Sequence, residues 1–336
     1  MWYFRPSLAN LFILSMEEIK QLIGKELQDF EGKFADAVKS NVPLLDRIMH
    51  YIVKRKGKQI RPMFVILSAR LFSPEINETT YRAAALVELL HTATLVHDDV
   101  VDDSLERRGF FSVNALWKNK IAVLVGDYLL TKGLLLSLNN KDFRSLEILT
   151  TAVKEMSEGE LLQLEKTRKL DIKEDIYFEI IRRKTASLLA SACAAGSWST
   201  TENDDTVEQM RLFGEKVGIA FQIKDDLFDY GSANVGKPTG NDIREKKMTL
   251  PLIYTLQHCP PDQKRYIINI VKNHNTDKDK VNEVISLVRE SGGIDYTRQK
   301  MLEYRDEALE ILHRLPEGSI RNGLESLVRY TTDRKF

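Results

Sequence analysis

Residues 88–109 read ELLHTATLVHDDVVDDSLERRG, an apolar run that ends in acid and then in base. Asp98, Asp99, Asp102 and Asp103 are followed by Arg107 and Arg108. At about 100° per residue, a helix places Asp98 and Asp102 on one face, roughly 40° apart. Carboxylates stacked in this way repel, and a cation between them removes the repulsion. Hard oxygen donors suit Mg²⁺, which takes few protein carboxylates and completes its shell with water and substrate phosphates. An acidic helix end by itself is usually a solvated surface. Here the pattern recurs.

FQIKDDLFDYG, residues 221–231, repeats the spacing as Asp225, Asp226 and Asp229. Both clusters close an apolar helical run, where the helix dipole disfavours a carboxylate. A local conflict of this kind points to function. If the two helices face each other, their carboxylates line one cavity mouth. Cations stand at readable places too: Lys58 and Arg61 in GKQIRP, Lys184 and Thr185 in RRKTASL, and Lys237 and Lys247 in GKPTGNDIREKKMTLP. A lone Lys or Arg is normally exposed, but metal-holding acids set among bases call for a polyanion, and a diphosphate bridged by Mg²⁺ satisfies both.

The pieces GKQIRP, HDDVVDDSLERRG, GDYLL, RRKTASL, FQIKDDLFDY and GKPTGNDIREKKMTLP follow one another as in the trans-isoprenyl diphosphate synthases, or polyprenyl synthetases, which the sequence resembles from about residue 46 onward. The resemblance implies the isoprenoid synthase fold, a large antiparallel helical bundle around a deep central cavity, usually as a homodimer. It implies two to three Mg²⁺ ions and two substrates, an allylic diphosphate and isopentenyl diphosphate. Carried over, Asp98 and Asp102 hold two ions and Asp225 a third, with Asp226 and Asp229 in support, and Asp99 and Lys184 join the catalytic set. Arg107, Lys184, Thr185, Gln222, Lys237 and Lys247 match positions that hold the allylic diphosphate. Lys58, Arg61, His91 and Arg108 match the isopentenyl diphosphate site. The family often reads GGKRxRP where this chain has Lys56-Gly57-Lys58-Gln59.

One turn before Asp98, short-chain members of the family carry a bulky aromatic, whereas Ala93 and Thr94 are small. A tunnel open past that level, toward Leu90, Leu89 and Leu86 and the facing Leu130, Leu134 and Leu135, implies a product of quinone side-chain length rather than geranyl or farnesyl diphosphate. Such a product also implies peripheral contact with a membrane at its release. Four other readings are weaker. A farnesyl or geranylgeranyl diphosphate synthase fits the small residues less well. A class I terpene cyclase needs neither the intact second Asp cluster nor Lys58 and Arg61. A di-metal carboxylate bundle could use Glu88/His91 and Glu310/His313, but leaves the Asp clusters unexplained. A non-catalytic subunit would be expected to have lost one cluster.

These residues need helices to position them, and helices are what the pattern gives. Apolar residues recur at three- and four-residue spacing over 16–39, 44–54, 59–72, 79–104, 113–138, 143–168, 173–197, 207–230, 250–258, 263–273, 278–290, 295–314 and 318–331. Val/Ile/Thr alternation between turns is missing, so no sheet is expected. Segments 83–96 and 121–138 are apolar nearly all round and belong in a bundle centre. The expected organisation is all-α: an extension over 1–15 and one domain over 16–336. The first 15 residues are too short to span a bilayer and lack a basic start and cleavage site. Lys+Arg and Asp+Glu both number 49, so net charge gives no indication of a nucleic-acid partner. Cys193 and Cys259 are the only cysteines and have no metal-ligand spacing, which fits a reducing, cytoplasmic setting. His97 reads as a group supporting Asp98 or as a packed helix histidine.

Overall fold

The computed structural model describes residues 13–55, 57–107, 109–167, 170, 172–231 and 240–332. Helices α1 (Met16–Leu22), α2 (Gly24–Ala37), α3 (Pro43–Lys54) and α4 (Ile60–Arg70) lead to the long α5 (Glu78–Val101). Two short strands, β1 (Glu106–Arg107) and β2 (Phe110–Phe111), turn the chain into α6 (Val113–Trp117), α7 (Asn119–Asn139) and α8 (Phe143–Thr167). Helix α9 (Glu174–Ile181) runs through a π-helical turn, Arg182–Ala186, into α10 (Ser187–Thr201), and α11 (Asp204–Phe228) follows. Then come α12 (Asn241–Arg244), α13 (Leu250–His258), α14 (Pro261–Asn273), α15 (Lys278–Glu290), α16 (Gly293–His313) and α17 (Ser319–Thr332).

The helices begin where side chains satisfy their first amides. Ser15 and Glu18 form a reciprocal capping box on α1. Asn77 accepts from the Thr80 amide at the start of α5, and Asn203 from the Thr206 amide at the start of α11. Proline occupies the first turn of α3, α13 and α14, where its missing N–H costs nothing.

The all-α bundle expected from the sequence is present, with local differences. The chain expected to hold no sheet has an antiparallel ladder pairing Glu106 with Phe111 and Arg107 with Phe110. Two residues per strand are too few to show a period. The helix expected over 16–39 breaks at Ile23, and that over 113–138 breaks at Lys118, whose φ is 72°. In both, apolar spacing continues across the break, so periodicity could not register it. The helix expected over 173–197 is continuous in direction but contains the π turn.

At the centre, α10 packs against α4, α5, α8 and α11. Twelve of the fifteen residues of its sequence SLLASACAAGSWSTT are small, and nearly all are buried, which lets four neighbours approach. Apolar clusters form around Phe64, Leu86, Leu188 and Phe213; around Ile219, Ile223, Leu250 and Val284; and around Met49, Leu89, Ala93 and Val125. Each fully buried large side chain contributes roughly 1.5–3 kcal/mol. Helix α7 is long and apolar enough to cross a membrane by length and composition. It packs along α5 so closely that a Cβ at Gly133 would lie 2.7 Å from Leu86 Cδ1.

Candidate active site

The first acidic cluster closes α5. Asp102 is its C-cap, with its amide donating 2.8 Å to the Asp98 carbonyl. Burial raises the Asp98 carboxyl above its ordinary pKa; Lys184 opposes the shift, Glu160 and Asp102 add to it, and Arg107 opposes it. The end of α5 therefore faces α8 and the π turn. Asp99 points elsewhere. It is buried, accepts 2.6 Å from Arg107 Nε, and its carbonyl accepts 3.0 Å from Asn114 Nδ2. Asp99 thus fastens the hairpin and α6 to the helix end, and burial raises its carboxyl despite Arg107.

Lys184 stands on the π turn, a distortion often found at functional sites. Gly159 of α8 permits this, because a Cβ there would lie 2.8 Å from the Lys184 amide nitrogen. The Lys184 ammonium pairs with Glu160 and reaches Gln163 Oε1 at 3.4 Å. On the same turn, Thr185 donates 2.8 Å to Gln222 Oε1.

The second cluster ends α11. Asp226 is buried and accepts from two sides: Tyr177 Oη at 2.6 Å and Gln222 Nε2 at 2.8 Å. Asp225 is exposed on the neighbouring position. Both Asp229 oxygens accept backbone amides, Asn241 at 2.8 Å and Asp242 at 3.0 Å, so Asp229 caps α12. That fold-back brings Asp242 against Asp226 and Asp229. Burial first, and those two carboxylates second, push the Asp242 carboxyl up. Burial likewise raises Asp226 and Asp229 against their donors. Lys247 joins the two clusters: burial opposes its charge, yet Glu245, Asp242 and Asp102 hold its pKa up. Lys184, Thr185, Gln222, Asp226, Asp242 and Lys247 line one cavity.

Arg61 Nη1 lies 2.9 Å from His91 Nε2, so α4 meets α5 there. Lys58 follows no such course: its ammonium donates 2.9 Å to Tyr330 Oη on α17. His91, Asp99 and Arg107 line a second cavity. Arg108 and Lys237 lie outside the described residues, as do residues 1–12 of the expected extension. Of the rest of that extension, Ser15 caps α1 and the Leu14 amide donates 2.9 Å to Ser326 Oγ.

Ala93 is buried between α5, α3 and α7 with Leu89, Val96, Ala122, Val125 and Leu129. Thr94 faces away from that seam and its hydroxyl donates 2.8 Å to the His91 carbonyl. Leu86, Leu89 and Leu90 are buried, but Leu135 is 44% exposed and does not line the interior. His97 is a packed histidine as well as a neighbour of Asp98: its Nε2 lies 3.3 Å from the Val123 carbonyl and 3.4 Å from Asp127 Oδ1, both on α7. The two Glu-x-x-His pairs stand on α5 and α16, and His313 pairs with Glu325 on α17 at 2.8 Å.

Sequence reasoning missed Tyr177, Glu160 and Asp242. Asp242 lies inside GKPTGNDIREKKMTLP, where a further carboxylate beside Lys247 is the readable signal. A tyrosine and a glutamate in ordinary amphipathic helices gave no signal.

The sequence matches the polyprenyl synthetase family over residues 42–288. It is 33% identical over 323 residues to the octaprenyl diphosphate synthase of Escherichia coli, covering 96% of this chain and 99% of that one. The fold matches a crystal structure of a decaprenyl diphosphate synthase from Rhodobacter capsulatus with a TM-score of 0.90 at 34% identity, over 95% of this chain and 99% of the other. It also matches a polyprenyl synthase from Caulobacter crescentus complexed with calcium and isoprenyl diphosphate, with a TM-score of 0.88 at 32% identity, over 95% and 98%.

Proposed function

This chain belongs to the polyprenyl synthetase family, and on that premise we propose that it is a magnesium-dependent prenyltransferase that joins isopentenyl diphosphate to an allylic diphosphate, giving an all-trans polyprenyl diphosphate longer than twenty carbons. One observation carries the reading. Lys184 and Lys247 line one cavity with Asp226 and Asp242, and the charges of Asp98 and Asp102 at the end of α5 act on Lys184 and Lys247, so acid clusters from distant parts of the chain meet around two ammonium groups.

The residues fit magnesium. The donors are all carboxylates, and burial raises the carboxyls of Asp98, Asp226, Asp229 and Asp242 above their ordinary pKa, a cost that a bound cation would offset. Such donors suit an ion that takes few protein carboxylates and adds water and substrate phosphate. Asp98, Asp102 and Asp225 would hold it, with Asp226 and Asp229 in support. Bound there, it would neutralise the charge that develops on the leaving diphosphate.

The chain's own residues do the remainder. Lys184, Thr185, Gln222 and Lys247, with Arg107 and Lys237, hold the allylic diphosphate by charge-assisted hydrogen bonds. Its C–O bond breaks and the electron pair leaves with the diphosphate. The double bond of isopentenyl diphosphate, held by Lys58, Arg61, His91 and Arg108, attacks the allylic cation. A proton is then lost to the released diphosphate. The apolar helices keep water from the cation. The growing chain enters the seam beside Ala93.

Outward-facing Val123, Leu124, Leu135 and Leu138 on α7 fit the same face of a second copy, which makes the homodimer part of the proposal. Peripheral membrane contact at product release, from a cytoplasmic setting, follows from the product, since each buried CH₂ favours lipid by about 0.8 kcal/mol. The test is incubation with Mg²⁺, labelled isopentenyl diphosphate and farnesyl diphosphate. The proposal expects label in a lipid-extractable diphosphate and none in EDTA; incorporation in EDTA, or none with Mg²⁺, contradicts it.

A further inference from the structure

Arg55 ends α3, two residues before the GKQIRP motif begins. Its guanidinium lies over the Tyr51 ring, 3.2 Å from the centroid, and 4.6 Å from the centroid of Phe110 in β2. The hairpin is tied to the same helix, since Tyr51 Oη donates 2.6 Å to the Phe111 carbonyl. Two aromatic faces therefore fix the position of this cation. Among the described residues no carboxylate pairs with Arg55, and its buried Nε has no hydrogen-bond acceptor. Stacking on rings is favourable for a guanidinium, but it does not satisfy the N–H edge. A buried donor without an acceptor is costly unless a ligand supplies one.

Arg55 lines the cavity that also holds Gln59, His91, Asp99 and Arg107. Within that wall the Arg107 charge is answered by Asp99 at 2.6 Å. Lys58 is not in the wall, and its ammonium is directed to Tyr330. Lys184 and Lys247 line a separate cavity. Arg61 approaches His91 from outside this wall, and among the described residues that line it Arg55 is the guanidinium without a carboxylate partner.

We propose that Arg55 binds the diphosphate end of isopentenyl diphosphate, as a substrate-binding residue outside the matched motifs. The inference rests on the prenyl-transfer reading and deepens it. The planar fork of a guanidinium matches phosphate oxygens two at a time, and the two rings have already fixed its position.

Arg55→Met tests it, because methionine keeps an unbranched stem over the rings and removes the charge and the donors. The Michaelis constant for isopentenyl diphosphate should rise about tenfold to a hundredfold. That for the allylic diphosphate should stay within about twofold. Calorimetric binding of isopentenyl diphosphate alone should weaken by the same factor as its Michaelis constant. Arg55→Lys, which keeps the charge without the fork, should fall between wild type and Arg55→Met. An unchanged constant for isopentenyl diphosphate in Arg55→Met, or an equal rise for both substrates, overturns the role of Arg55 while wild-type turnover leaves the prenyl-transfer reading intact. Absence of turnover in wild type overturns that reading itself.

Discussion

Tyr177 donates a 2.6 Å hydrogen bond from α9 to the buried carboxylate of Asp226 on α11. The phenol remains a donor, because burial and then Asp226 push its pKa well above the ordinary value. In Tyr177→Phe the carboxylate loses one of two donors, at a cost of about 1–3 kcal/mol. Burial raises Asp226 to about 6 while Tyr177 and Gln222 oppose the rise. Without Tyr177 the carboxyl rises further, since the hydrogen bond favours the charged form. A folded-state pKa above the unfolded value means that the folded state binds more protons, so stability falls as pH rises between the two. The loss in melting temperature should therefore be larger at about pH 8 than at about pH 5. An equal loss at both would show that the hydroxyl acts by packing alone.

Metal affinity should depend on pH. Burial and neighbouring carboxylates hold Asp242 at about 8, and burial holds Asp226 at about 6. A divalent cation at this cluster favours the ionised forms, so binding releases protons. The apparent affinity for Mg²⁺ should rise as pH increases from about 6 to about 8. Binding heats should also differ between buffers of different ionisation enthalpy. Affinity flat across this range would contradict the placement of the ion.

The Asp clusters were legible because period and chemistry coincide: Asp98 and Asp102 are one turn apart, and the same spacing recurs at Asp225 and Asp229. The helices were legible because apolar spacing follows burial over long segments. What joins the clusters was not. Asp242 reaches Asp226 only because Asp229 caps α12, a contact no periodicity encodes. Asp99 shares the first motif but turns to Arg107, which a spacing rule cannot separate from its neighbour Asp98. Lys58 carries the family's position, yet its ammonium is taken by Tyr330 from the other end of the chain.

Charge removal should divide the substrates. Lys184→Ala should raise the Michaelis constant for the allylic diphosphate by about tenfold or more, with a smaller effect on isopentenyl diphosphate. Asp98→Ala and Asp225→Ala should cut turnover by about two to three orders of magnitude while circular dichroism shows the fold intact. Full activity in both Asp variants would remove the metal assignment.

Product length should respond to Ala93. Its seam is apolar, with Val96, Ala122 and Val125 among its residues. The Thr94 side is polar, with the hydroxyl engaged by the His91 carbonyl. Ala93→Phe should therefore stop elongation early, at a stability cost of about 1–3 kcal/mol from overpacking. If Thr94→Phe shortens the product and Ala93→Phe does not, the chain runs along the Asp98 face toward α8.

Sizing the products of the unmodified protein decides whether the chain grows into an open tunnel. With Mg²⁺, farnesyl diphosphate and excess isopentenyl diphosphate, the alcohols freed from the products should form a ladder that ends beyond twenty carbons. A ladder that ends at fifteen or twenty carbons would contradict the tunnel, and the absence of any product would contradict prenyl transfer itself.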